Sequence, residues 1–151
     1  MSSITPQRFY ERANSFANAG DVLLGENFDD MIPIVFLHCR ALELYLKSFL
    51  LKRGMKVEEL RSRKYGHNLN ELLMAALDNE LWVLICGTPL TCSRLHAIVK
   101  IMNHDYQSKR IEYPTYSYNY LIADAQFTRI LLKRLNRGLG FMLRPTSAAS
   151  G

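Results

Sequence analysis

The sequence predicts an all-α protein, folded as an antiparallel bundle of four to five helices. Three observations predict it. Apolar residues recur at i, i+3, i+4 and i+7 in one segment after another. No segment shows the sustained polar/apolar alternation of a half-buried strand. Proline, glycine, aspartate and asparagine stand at the joints, where helices start and stop.

Each element follows from its residues. Thr5-Pro6 starts the first helix with proline in the first turn. Phe9, Ala13, Phe16 and Ala17 give it one apolar face, and Gly20 and Gly25 bracket its end. Asp29-Asp30 caps the second helix, with Pro33 tolerated in its first turn. The run "IPIVFLHCRALELYLKSFLLKRG" is apolar almost all round and ends at Gly54, so this helix is expected at the centre, with Phe36, Leu37, Leu44 and Phe49 among its most buried residues. Asn68 is the expected cap of the third helix, with Glu71 at capping-box spacing. Leu69, Leu72, Leu73, Ala76 and Leu77 then fill one face, and Gly87 breaks the chain. Thr88-Pro89 starts the fourth helix, whose stripe is Cys92, Leu95, Val99, Met102 and Tyr106. The link "YPTYSYNY" follows. A last helix runs from about Leu121 to Arg137, with Leu121, Ala125, Thr128, Leu132 and Leu135 on one side, and Gly138 and Gly140 close it.

A length of 151 residues fits a single domain, drawn here as residues 1–140, with 141–151 as a flexible tail. The chain is 48% hydrophobic and 22% charged, an ordinary globular balance. No apolar run approaches the ~20 residues of a membrane span. The start "MSSITPQRFYERANSF" lacks a basic segment followed by an apolar one, so no secretory leader is expected. Cys39, Cys86 and Cys92 are odd in number and lie in apolar runs, which points to reduced thiols and the cytoplasm. No CxxC or His/Cys spacing suggests a metal, and no cofactor is implied.

The net charge is +5, unevenly spread. No acid follows Asp124, yet Arg129, Lys133, Arg134 and Arg137 do, and they form a candidate nucleic-acid patch. Six cations also fall between Lys52 and Lys64. A solvated surface is the other reading of both clusters. On the second helix Arg40, Glu43 and Lys47 are spaced three and four apart and so form one line, with Glu43 to Lys47 in the favourable order. That line is either a plain ion line or a partly buried network holding His67 and Arg110 around a cleft. His38 and His96 read as single histidines rather than ligands. The tyrosine link could stack bases or pack over the bundle.

The order of an amphipathic first helix, then "LHCRALELYLKSFLLKRG", then a short link and "GHNLNELLMAA", resembles the HEPN domains (higher eukaryotes and prokaryotes nucleotide-binding) over roughly Pro6 to Leu135. Glu43 and Lys47 are similar to that family's Glu and Lys one turn apart. His67-Asn68-Leu69 is similar to its helix start. Tyr106, Arg110 and Tyr113-Pro114 resemble its later Tyr and Arg-Tyr-Pro, although Ile111-Glu112 separates the Arg from the Tyr here. The resemblance implies a helical bundle that pairs as a homodimer. It implies binding at Glu43, Lys47, His67, Tyr106, Arg110 and Tyr113, to which the helical line adds Arg40. It implies RNA, nucleotide or a partner protein as the thing bound, with a nucleotidyltransferase or an antitoxin as candidate partner.

Active members of that family are metal-independent endoribonucleases of toxin–antitoxin or defence type. They use an Arg, then several residues, then a His near the last core helices. Arg61-x5-His67 has tolerable spacing, but it lies between the second and third helices. Lys100-x3-His104 lies nearer the expected place and offers Lys for Arg, a point charge for a bidentate fork. Arg61, His67 and His104 are thus the catalytic candidates. The leading reading is a non-catalytic binding or accessory module, and the alternative is the ribonuclease.

Overall fold

The computed structural model describes residues 3–26, 29–85, 89–110 and 122–145, and for 89–92 the backbone alone. These residues form α1 (Pro6–Gly25), α2 (Met31–Lys52), α3 (Val57–Leu60), α4 (Leu69–Asp78), α5 (Trp82–Ile85), α6 (Pro89–Gln107) and α7 (Ile122–Met142). Among the described residues there is no strand. The five long helices are the predicted bundle; α3 and α5 are single turns in the links. No helix among the described residues is long and apolar enough to cross a membrane.

The starts form as their residues dictate. Thr5 Oγ1 accepts the Arg8 N–H at 3.2 Å, and Asp30 Oδ1 accepts that of Ile32 at 2.9 Å. Asn68 Oδ1 accepts the Glu71 N–H at 3.2 Å. The capping box is only half formed, because the Asn68 N–H donates to the Tyr65 carbonyl instead of to Glu71. At the end of α2 the Gly54 N–H reaches Leu51 O and the Met55 N–H reaches Leu50 O, with Gly54 at φ +102°. That is a Schellman end with the residue that suits it. The end of α4 repeats the pattern, Glu80 N–H to Leu77 O and Leu81 N–H to Ala76 O, but Glu80 holds the left-handed position at φ +69°.

α2 touches α1, α4, α6 and α7 and is the central helix. It runs antiparallel to α1, as Ser48 against the Pro6 carbonyl, Tyr45 against Asn14 and His38 against Gly20 show. Its buried face carries Ile34, Val35, Leu42, Tyr45, Leu46, Phe49 and Leu50, all within 1% of complete burial, with Leu44 at 5%. Phe36 and Leu37, expected among the most buried, are only half-buried. A helix apolar almost all round does not reveal by periodicity which side meets water.

Three glycines read as stops lie within helices. A Cβ on Gly20 would stand 2.7 Å from the His38 ring, and one on Gly138 3.0 Å from Leu84. One on Gly140 would stand 2.7 Å from the Tyr10 hydroxyl, which is itself held by Asn136. Their use is close approach between helices, and α7 therefore continues through two of them to Met142.

Candidate functional site

Glu43 sits at mid-length on the inner side of α2, its side chain 1% exposed. A carboxylate so placed must be paired or protonated. It is paired from three segments of the chain. From its own helix, Arg40 Nη1 donates to both oxygens at 3.1 and 3.2 Å, and Lys47 Nζ donates to Oε1 at 2.7 Å. From the loop before α4, His67 Nδ1 lies 3.1 Å from each oxygen. From α6, the Tyr106 hydroxyl donates to Oε2. The Tyr106 ring meets both His67 and Phe36 edge-on.

The electrostatics follow. Burial pushes the Glu43 carboxyl up, but Lys47, together with hydrogen bonds from Lys47, Tyr106 and His67, outweighs it and holds the group below the usual carboxylate range. Burial and the adjacent Glu43 raise the Tyr106 phenol far above its ordinary value. Burial works against the Arg40 charge, and Glu43 and Tyr106 together more than restore it. Because Glu43 is ionised and only accepts, the His67 proton belongs on Nδ1, leaving Nε2 as the lone-pair nitrogen of a half-exposed ring.

The loop that presents His67 is built by its neighbours. Tyr65 is buried, the Gly66 N–H returns to the Ser62 carbonyl at 2.9 Å, and Gly66 takes φ +24°. Asn103 of α6 then ties the start of α4. Its Oδ1 accepts the Leu69 N–H at 2.7 Å, and its Nδ2 donates to Asn68 Oδ1 at 3.1 Å. Sequence reasoning passed over Asn103. Its signal was a polar residue between Met102 and Tyr106, next to the apolar stripe of α6.

Five predicted residues, Arg40, Glu43, Lys47, His67 and Tyr106, thus come together. Arg110 is exposed just beyond α6. Tyr113 lies outside the described residues, as do Cys86, Leu121 and the rest of the tyrosine link; the Cys92 side chain does too. Arg61 does not join His67: it is exposed at the end of α3, and its side chain has no hydrogen-bond or ion-pair partner among the described residues. His104 is exposed, with Nδ1 3.0 Å from Asp105, and shares no hydrogen bond with the Glu43 cluster. Among the described residues no three His, Cys, Asp or Glu side chains stand together as a metal site requires.

The predicted basic patch divides. Arg129 Nε lies 3.6 Å from Asp21 of α1, and Arg134 donates to the Ile85 carbonyl at 3.0 Å. Lys133 and Arg137 are exposed. Burial raises the Asp21 carboxyl despite Arg129 and Lys133. Arg137 lines two clefts that flank Phe141, a residue left 75% exposed; Arg144 lines one of them and Arg134 the other.

Comparison with family models, curated proteins and solved structures finds no match to this chain.

Proposed function

We propose that the chain is a cytoplasmic, HEPN-like binding module that works as a homodimer and takes single-stranded RNA at the C-terminal part of α7. One observation carries this reading. Phe141 is 75% exposed, with the Arg144 guanidinium carbon 6.0 Å from its ring centre, and stands between clefts of about 660 and 600 Å³ that are lined by Arg134, Arg137 and Arg144 and by no carboxylate. An exposed ring flanked by guanidinium groups suits a stacked base with its phosphates on the arginine forks. A nucleotide is a shorter ligand of the same chemistry. A nucleotidyltransferase or an antitoxin is the partner that the family resemblance implies.

Fluorescence anisotropy with a labelled single-stranded RNA tests it. Affinity is expected to fall steeply as salt rises, since bound phosphates release counterions. Phe141→Ala and the pair Arg137→Gln, Arg144→Gln are each expected to weaken binding. No binding at low salt would favour a protein partner, and binding untouched by either change would put the RNA elsewhere. Light scattering showing a monomer at tens of micromolar would remove the dimer.

The ribonuclease reading has His67 in its favour. Glu43 backs Nδ1 and leaves Nε2 able to take a proton. It has no arginine at the spacing of the family's motif, since Arg61 stands apart and the arginine on Glu43 is Arg40 of α2. Cleavage of the same RNA that is lost in His67→Ala at unchanged melting temperature would restore it.

A further inference from the structure

We propose that the cleft between α1 and α2 binds a small phosphate monoester carried on a planar ring. It is distinct from the RNA surface: Gln7 and Tyr10 line one of the Phe141 clefts, whereas Arg8 and Arg12 line this one from another side of α1. The cleft measures about 280 Å³ and is lined by Arg8, Arg12 and Arg40 over Phe9, Phe16 and Leu44, with no carboxylate among its lining residues.

The three arginines differ in how they are held. Arg40 is seated by Nη1 on Glu43, and its guanidinium carbon lies 6.0 Å from the centre of the Phe16 ring. A third of its side chain stays open. Arg8 and Arg12 are exposed, one helical turn apart, and neither has a side-chain hydrogen-bond or ion-pair partner among the described residues. Like charges at that spacing repel, and among the described residues no carboxylate pairs with either guanidinium, Glu11 accepting instead from Gln7. Three guanidinium groups thus line the cleft and only that of Arg40 is paired, on Glu43. The surplus is that of a site awaiting a multiply charged anion.

A phosphate monoester matches that surplus with a charge of about −1.5 to −2 and three acceptor oxygens near neutral pH. Guanidinium forks bind such oxygens in pairs, which a lone carboxylate ligand would use less fully. Phe9, Phe16 and Leu44 supply an apolar seat for a ring. The volume lies at the low end of ligand pockets, enough for one ring and one phosphate and too little for an oligomer.

Phenyl phosphate titrated into the full chain, followed by amide and arginine side-chain resonances, is the test. Saturable shifts are expected in the first half of α1 and around Arg40. Inorganic phosphate and benzoate are expected to bind at least about tenfold more weakly, a difference of roughly 1.4 kcal/mol. Phenol is expected not to bind. The double variant Arg8→Gln, Arg12→Gln keeps its fold, since both side chains are exposed, and is expected to lose about tenfold or more in affinity. The mapping on the unaltered protein does not depend on that variant. Absence of saturable shifts, shifts spread evenly over Arg129, Lys133 and Arg137, equal affinity for benzoate or inorganic phosphate, or unchanged affinity in the double variant would each overturn the proposal.

Discussion

Lowering the pH below neutral should destabilise this protein through one buried histidine. His38 is fully buried on α2, both its ring nitrogens lack a hydrogen-bond partner among the described residues, and its ring lies against Gly20. Burial, with a smaller contribution from Arg129, lowers its pKa from 6.5 to about 4. The unfolded chain therefore takes up the proton near pH 6.5, and the folded chain only near pH 4. Between those values the unfolded state holds more protons, so stability rises with pH. The contribution is complete above pH 6.5 and is lost as pH falls to about 4. At roughly 1.4 kcal/mol per unit, the loss is about 3 kcal/mol, a large part of a typical domain's stability. Urea midpoints by circular dichroism from about pH 7.5 to about pH 4.5 measure it. His38→Leu removes the group and is expected to flatten the profile over that window. It should be at least as stable as the parent at neutral pH, because two unsatisfied nitrogens leave the core. Glu43 acts lower: its depressed pKa gives stability that is lost only as pH falls below the ordinary carboxylate value of 4.5. Asp21, raised, has the opposite sign and softens the acid limb slightly. A midpoint constant between neutral pH and pH 5, or an unchanged slope in His38→Leu, would refute the reasoning.

Further outcomes are expected from the same denaturation assay. Glu43→Ala strips the partner from Lys47 and Arg40 and should cost about 3 kcal/mol, whereas Arg61→Ala should change stability by less than ~0.5 kcal/mol. Asn103→Ala orphans the buried Leu69 N–H and should cost about 1–3 kcal/mol, against about 1 kcal/mol for the Asn68→Ala cap loss, with less than additive cost in the double variant. Glu80→Gly should stabilise the protein by about 0.5–1 kcal/mol: it relieves the left-handed backbone at φ +69° and gives up only a 4.0 Å surface contact with Arg53.

The helix starts were legible because Thr5-Pro6, Asp30 and Asn68 carry their own hydrogen-bonding logic, local to three or four residues. The line of Arg40, Glu43 and Lys47 was legible for the same reason, since helical geometry alone makes those side chains neighbours. The glycines at 20, 138 and 140 misled because a missing side chain serves a turn and a tight crossing equally well, and only the partner helix distinguishes them. One-turn α3 and α5 are too short to show a period. That Asp21 would meet Arg129, or that Arg8 and Arg12 would open beside Arg40, depends on how α1 lies along α2 and α7. No spacing within one segment holds that information.

The Glu43 cluster bears on the order in which the chain assembles. Two of its four donors lie one turn away on the same helix and can reach the carboxylate as soon as α2 forms, before any long-range contact. The anion that α6 and the His67 loop later enclose is thus already paired, so the desolvation opposing their docking falls on a compensated group instead of a bare charge. A substitution at Lys47 is then expected to slow refolding, and one at Tyr106 to quicken unfolding, although both residues touch the same carboxylate.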